Sequence, residues 1–356
     1  MKDMFRKMNI RTGILYFYIH FVTELICFFA LYRYTENAPV TWLLFFAYDM
    51  LAFAPQSIIG YVSDKFPKLV FSVAGLLLMS LALIVQRYTE FVFTSLVLLC
   101  IGNAFVHVNG AEVTLRSADG HLSPSAVFVS GGSFGVVSGR LLSSMDIPLW
   151  PLILLAASAI PFALLAQTYV DMPAGIDDRC KSFRYSSKKI SRYMIIILAV
   201  LVVMIRGYMG YGIPTSWRKT TLQTVLLFVF MGTGKALGGI LSDIIGIRKV
   251  AFISVILALP LLLFGDQNMY VSLIGVMMFS MTMSVTLAIL VSVLPRTPGL
   301  AFGFTTIGLF LGTAPIFFFR MIDPKANAVM LAVLSLICLV CLLLSLEKED
   351  DHGRTV

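Results

Sequence analysis

The chain has 356 residues, 58% of them hydrophobic and only 13% charged, with a mean hydropathy of +0.90. Soluble domains carry about 25% charged residues, so an aqueous globular protein is excluded, and about twelve spans of about 20 residues leave too little chain for a folded soluble domain. In lipid the backbone must be hydrogen-bonded within helices or a closed barrel, and long unbroken apolar runs select helices. The net charge of +8 lies in small groups at the ends of apolar runs. That pattern sets orientation in a bilayer and argues against nucleic acid as a partner.

In chain order, residues 1–11 carry Lys2, Arg6, Lys7 and Arg11 ahead of an apolar run. This is similar to a signal peptide, but the run is too long for one and no small-residue cleavage site follows, so it is read as the first span. Charges and turn residues divide the chain into spans at 12–32, 41–62, 69–86, 92–113, 123–145, 149–169, 192–211, 221–242, 249–265, 269–293, 299–319 and 326–346. Lys65, Lys68, Arg116, Arg179, Lys181, Arg184, Lys188, Lys189, Arg192, Arg248, Lys249, Arg296, Lys348 and Arg354 join the N-terminal cations on one side. Only Arg33, Arg87, Arg218, Lys219, Arg320 and Lys325 fall on the other. The bias places both termini in the cytoplasm, in a bacterial inner membrane. The longest connection is polar and basic, which gives an N-terminal six-helix bundle (1–170), a cytoplasmic linker (171–191) and a C-terminal six-helix bundle with a short acidic tail (192–356). Cys27, Cys100, Cys180, Cys338 and Cys341 form no even framework, and Cys338 and Cys341, inside an uncharged helix, read as small hydrophobes rather than a metal or redox pair.

Gly60-Tyr-Val-Ser63-Asp64 ends the second span, and Gly239-Ile-Leu-Ser242-Asp243 ends the eighth, 179 residues later. Basic residues follow each, Lys65 and Lys68 in one, Arg248 and Lys249 in the other. A repeat at half the chain length implies two parallel halves. These elements resemble the loop motif of the major facilitator superfamily, with Val62, Pro67 and Ile244 as departures and a one-residue insertion in the second copy. The resemblance implies twelve helices in two pseudo-symmetric bundles, an all-α polytopic fold. Independently of it, a glycine at the helix end allows close approach, and an acid beside a neighbouring helix N-terminus is favoured by the dipole. Gly60, Asp64, Lys65, Lys68, Gly239, Asp243, Arg248 and Lys249 are therefore expected to form a latch on the inner face.

Ionisable residues inside spans cost about 2.5–3.5 kcal/mol each at the bilayer centre. The spans hold His20, Glu24, Asp49, His107, Glu112, Arg140, Arg206 and Lys235. His20 and Glu24 share one helix face, as do Asn103 and His107. In the superfamily that the chain resembles, helices one, four, seven and ten line a central cavity. This places His20, Glu24, Asn103, His107 and Arg206 about one aqueous space, with His20, Asn103, His107, Arg206 and Lys235 as substrate-binding residues and Glu24, then Asp49, as proton-coupling acids. Lys235 matches Gln56 in the other half, which favours a cavity-facing side chain. Glycines 131, 135 and 139 in the fifth span, and 234 and 238 in the eighth, give small faces for close packing or for sliding of the halves, and either reading puts the fifth and eighth spans at the interface between halves. The stretches from Ile19 to Leu25, from Gly102 to His107 and from Val127 to Gly132 are similar to the fosmidomycin-resistance-type branch, although Glu24 replaces its Asp and the proline after His107 is missing.

The expected function is secondary active transport of a small anionic solute by alternating access, coupled to protons, symport or efflux being left open, by a monomer whose partners are solute, protons and lipid. No Walker motif supplies another energy source, and no catalytic residue, metal or cofactor is implied. The alternatives are a membrane-embedded enzyme using His107 and Glu112, whose spacing of five puts them off a common face, and a channel or non-transporting receptor on the same scaffold.

Overall fold

The computed structural model describes residues 10–35, 41–87, 91–145, 147–173, 175–176, 179–180, 190–319 and 323–346. Most of the basic N-terminus, the linker cations Lys181, Arg184, Lys188 and Lys189, and Arg320, Lys348 and Arg354 lie outside them. Twelve spans are present among the described residues: Ile10–Thr35, a second made of Thr41–Phe53 and Gln56–Lys65, Phe71–Gln86, Val92–Ser117, Ser123–Ser143, Trp150–Thr168, Arg192–Gly212, Thr221–Ile245, Ile247–Phe264, a tenth made of Met269–Ser280 and Thr282–Val293, Pro298–Phe318 and Pro324–Ser345. Eleven are long and apolar enough to cross a membrane. The third has 16 residues, about 24 Å of helix, shorter than a hydrocarbon core of about 30 Å.

The helix ends follow local chemistry. Thr220 accepts the Gln223 N–H while the Gln223 side chain accepts the Thr220 N–H, a capping box ahead of the eighth span. Asn268 and Asp323 cap the tenth and twelfth spans, and prolines stand in the first turn of the fifth, sixth, eleventh and twelfth, where a missing N–H costs nothing. The second span, read from sequence as continuous, is broken where Pro55 removes a donor and crowds the preceding turn. Gln56 donates to the Ala52 carbonyl at 2.8 Å at that break. The tenth is interrupted at Met281, within a run in which the hydroxyls of Ser280, Thr282 and Thr286 donate to the carbonyls of Val276, Phe279 and Thr282 in the preceding turn, a competition that loosens helices.

The first span lies along the fifth, the third along the fourth, the seventh against the eleventh, and the eighth and ninth against the tenth. Spans one to six meet seven to twelve chiefly through the second with the eleventh and the fifth with the eighth. The fifth and eighth spans do meet between the halves, while their glycine stripes pack within each half. A Cβ at Gly131, Gly135 or Gly139 would sit 2.3–2.4 Å from the carbonyl oxygens of Phe17, Phe21 and Leu25 on the first span, so this stripe lets spans one and five of the same half touch backbone to backbone. Gly234 and Gly238 likewise face Met277 and Met281 of the tenth. Aliphatic and aromatic side chains such as Phe93, Trp150, Phe264, Val329 and Val340 point outward, a surface suited to lipid.

Candidate functional site

At the middle of the N-terminal half, three polar side chains converge on one carboxylate oxygen. Glu24 Oε1 accepts from Asn103 Nδ2 at 3.0 Å and faces His107 Nε2 at 3.3 Å and His20 Nε2 at 3.8 Å. The i,i+4 spacings of His20 with Glu24 on the first span, and of Asn103 with His107 on the fourth, put both pairs on facing stripes. Each imidazole is fixed by its other nitrogen: His20 Nδ1 lies 2.9 Å from the Phe128 carbonyl and His107 Nδ1 3.0 Å from the Asn103 carbonyl. A carbonyl only accepts, so both Nδ1 atoms carry hydrogen, and in its neutral form each ring turns an Nε2 lone pair toward Glu24. Asn103 Nδ2 also reaches Tyr48 Oη at 3.1 Å and Cys27 Sγ at 3.4 Å. Glu24 is only 4% exposed.

The C-terminal half contributes cations without acids. Arg206, on the seventh span, is 9% exposed, and its buried Nη1 has no hydrogen-bond partner among the described residues. Lys235, on the eighth, is half-buried; its backbone carbonyl accepts from Ser284 at 2.9 Å. Among the described residues the ion pairs involve His20, Glu24, Asp64, His107, Glu112 and Arg116, so no carboxylate lies within 4 Å of Arg206 or Lys235. Gln56, the counterpart of Lys235 by the repeat, is spent on the broken second span and does not report a polar cavity position.

Asp49 lies apart from Glu24. Its Oδ2 accepts from Thr313 of the eleventh span at 3.4 Å, across the contact between halves. Nearby Phe46 packs against Phe310, Phe317 and Phe318 with centroids 5.9, 5.6 and 5.3 Å away, and Trp42 meets Phe318 at 5.8 Å. This aromatic contact closes the second and eleventh spans at one end.

At the other end the two halves are joined by aspartates. Asp64 accepts the backbone N–H groups of Gly299 and Leu300, each at 2.9 Å. Asp243 accepts those of Leu122 and Ser123, each at 2.8 Å, and the Ser123 hydroxyl as well. Each acid thus occupies the N-terminus of a helix in the opposite half, where free N–H groups and the helix dipole favour negative charge. Close approach requires the glycines: a Cβ at Gly60 would sit 2.2 Å from the Gly299 oxygen, and one at Gly239 2.3 Å from the Ala126 Cβ. The basic residues of the motif do not meet these acids. Lys65 lies over the Tyr61 ring at 4.7 Å, Arg248 binds the carbonyls of Leu343 and Leu346, and Lys68 and Lys249 are exposed.

Arg116 reaches the latch that sequence assigned to the motif alone. Its Nε lies 3.1 Å from Glu112 Oε1 and its Nη2 3.9 Å from Asp64 Oδ1, while Ser63 donates to Glu112 at 2.6 Å. Glu112 is therefore engaged away from His107, and the acid–base pair of the enzyme alternative is not assembled. The spacing of four between Glu112 and Arg116 was a usable cue, as were Ser123-Pro124 and Thr297-Pro298, which mark the two capped helix starts. Cys180 of the linker also sits here. Its N–H donates to the Pro295 carbonyl at 2.7 Å, which ties the linker to the connection between the tenth and eleventh spans. The thiol is 5% exposed, and burial pushes it up to about 12, so it is covered while the latch is closed.

No protein-family model and no curated protein sequence matches the chain. Solved structures do match its fold. The transporter FucP, crystallised in an outward conformation, aligns with a TM-score of 0.68 at 13% identity, covering 94% of this chain and 97% of that one. A crystallised single-residue variant of the E. coli fucose:proton symporter FucP aligns at 0.67 and 12%, with the same coverage. The human organic anion transporter MFSD10 (TETRAN) aligns at 0.61 and 13%, covering 94% of this chain and 99% of that one. With twelve spans in the same arrangement over nearly its whole length, the chain has the fold of the major facilitator superfamily.

Proposed function

We propose that the chain is a secondary active transporter of a small anion, working by alternating access as residues 1–170 and 192–356 rock about the buried middle of the molecule. The observation that carries this reading is the pair of cations without acids. Arg206 and Lys235 have no carboxylate within 4 Å among the described residues, and Arg206 has an unsatisfied buried nitrogen. A buried charge without a partner costs several kcal/mol, and a guanidinium fork and an ammonium on neighbouring parts of the same half suit a carboxylate or phosphate. The two aspartate latches support the alternating part: they are interactions between halves that the opposite conformation must break. The fold is shared with a fucose:proton symporter and an organic anion transporter, which supports both solute transport and an anionic cargo.

Of the two acids expected to carry the coupling proton, Glu24 first and Asp49 second, we assign it to Asp49. This acid bonds a residue of the opposite half beside the aromatic closure, so opening that end exchanges an apolar surrounding for water, and a carboxyl so placed can take up a proton on one side and release it on the other. The basic linker and loops support cytoplasmic termini in a bacterial inner membrane, with the monomer as the working unit. The likeness to the fosmidomycin-resistance-type branch rests on the His20–Glu24 and Asn103–His107 stretches and carries no drug-efflux activity with it. Uptake of labelled organic and phosphate anions into proteoliposomes under an imposed proton gradient tests the reading: saturable, gradient-driven accumulation supports it, whereas catalytic turnover or binding without flux would support an enzyme or a receptor instead.

A further inference from the structure

Beyond the anion site, we propose that His20, Glu24 and His107 form a binding site for a divalent first-row transition-metal ion such as Zn²⁺. One ligand atom from each residue lies within 4.8 Å of the others, and all three residues are buried. The chemistry of the donors fits. Both imidazoles present Nε2 lone pairs because their Nδ1–H groups are held by the Phe128 and Asn103 carbonyls, the outer-shell arrangement that fixes tautomer and ring angle in metal-binding histidines. The Asn103 amide orients the carboxylate in the same way at 3.0 Å.

Distance separates a metal from a shared proton. A charge-assisted hydrogen bond between nitrogen and oxygen spans about 2.7–2.9 Å, yet the two Nε2 atoms stand 3.3 and 3.8 Å from Glu24 Oε1. Bonds of about 2.0–2.1 Å to a tetrahedral ion put neighbouring donors about 3.3 Å apart. Apart from the Asn103 amide, which donates to Glu24 Oε1, two imidazole lone pairs and an ionised carboxylate facing one another repel, and a cation of that size at their centre removes the repulsion. Two nitrogens and one oxygen leave a fourth position for water or an oxygen of a bound anion. The spacing motifs of sequence could not announce this site, because its ligands come from two spans.

The test uses the full-length chain, purified with a tag free of histidine, in metal-free buffer, with Co²⁺ and Zn²⁺ as the probes. One Co²⁺ per chain is expected, with the visible absorption of a four-coordinate ion. Glu24→Gln, His20→Gln and His107→Gln should each weaken binding by about 100-fold or more, and Asn103→Ala by about 10–100-fold, the range of an outer-shell partner. His121→Gln, which lies elsewhere, should leave it unchanged. X-ray absorption on the Zn²⁺-loaded wild-type chain needs no variant to fold: two imidazoles with oxygen ligands are expected. An all-oxygen shell, a shell containing sulfur, no saturable binding, or binding that survives Glu24→Gln with His107→Gln overturns the proposal. Anion uptake in chelator-treated vesicles is a separate readout, so loss of the metal site leaves the transport reading to stand or fall by itself.

Discussion

Asp64 of the second span accepts the backbone N–H of Gly299, the second residue of the eleventh span, at 2.9 Å. A side chain of one half thereby completes the helix start of the other, and Asp243 repeats the device with Leu122 and Ser123. Hydrogen bonds to charged groups contribute about 1.5–3 kcal/mol. Asp64→Asn and Asp243→Asn should each shift the equilibrium toward the state with this end open by about tenfold or more. Maleimide labelling of Cys180, in a chain with the four other cysteines replaced, reads that shift. The thiol is buried and its ionisation suppressed, so it should react slowly in the parent and about tenfold faster in either variant. Equal rates would leave these aspartates no latching role.

Gly60 and Gly239 test the same closure by volume. A valine puts a Cβ 2.2 Å from the opposite half at the first position and 2.3 Å from it at the second, and the contact at Gly60 is backbone, which cannot swing aside. Gly60→Val and Gly239→Val should insert normally, show labelled Cys180, and lose most transport. Gly210→Ala is the control, because nothing lies within 4 Å of its added carbon; it should keep parental transport. Full activity in the two valine variants would contradict the close contact.

For the cations, Arg206→Gln and Lys235→Gln should each weaken anion affinity by at least about tenfold, while melting temperature holds for Lys235→Gln and holds or rises for Arg206→Gln, since removing an unpaired buried charge relieves a cost. Calorimetric titration and thermal melting on the same preparations decide. A stability loss restored by a second change at Glu24 or Asp49 would make the cations structural partners.

Asp49→Asn should keep exchange of labelled for unlabelled anion within about twofold of parental rate but lose accumulation driven by a proton gradient. The two assays in parallel vesicles separate translocation from coupling. Intact gradient-driven accumulation would remove Asp49 from the proton path.

Hydropathy made the spans legible, because in lipid an apolar run of that length has few alternatives to a helix. The Gly60–Asp64 and Gly239–Asp243 repeat pointed to glycines and acids that lie between the halves, since an acid at a helix end has a local logic, but not to where its lysines and arginines go. Partners across the chain were not legible. Nothing near Asp64 in sequence names Gly299, and the meeting of Glu24 with His107 was expected only from the family resemblance, which puts the first and fourth spans about one space; such contacts depend on which helices become neighbours. The glycines of the fifth span show the same limit: spacing identified a surface for close packing, but only the fold reveals that the first span, rather than the eighth, lies on it. Gln56 shows how a repeat offset misleads, because Pro55 breaks one half at that position and gives its glutamine a backbone task that Lys235 does not share.

The most direct test of the account is counterflow in proteoliposomes with a panel of small organic and phosphate anions beside neutral analogues. A carrier with Arg206 and Lys235 in its site should show labelled anion entering faster when unlabelled anion fills the vesicle, no such stimulation by the neutral analogue, and near-complete loss in Arg206→Gln. Flux without stimulation from the opposite side, or equal stimulation by the neutral analogue, would contradict it.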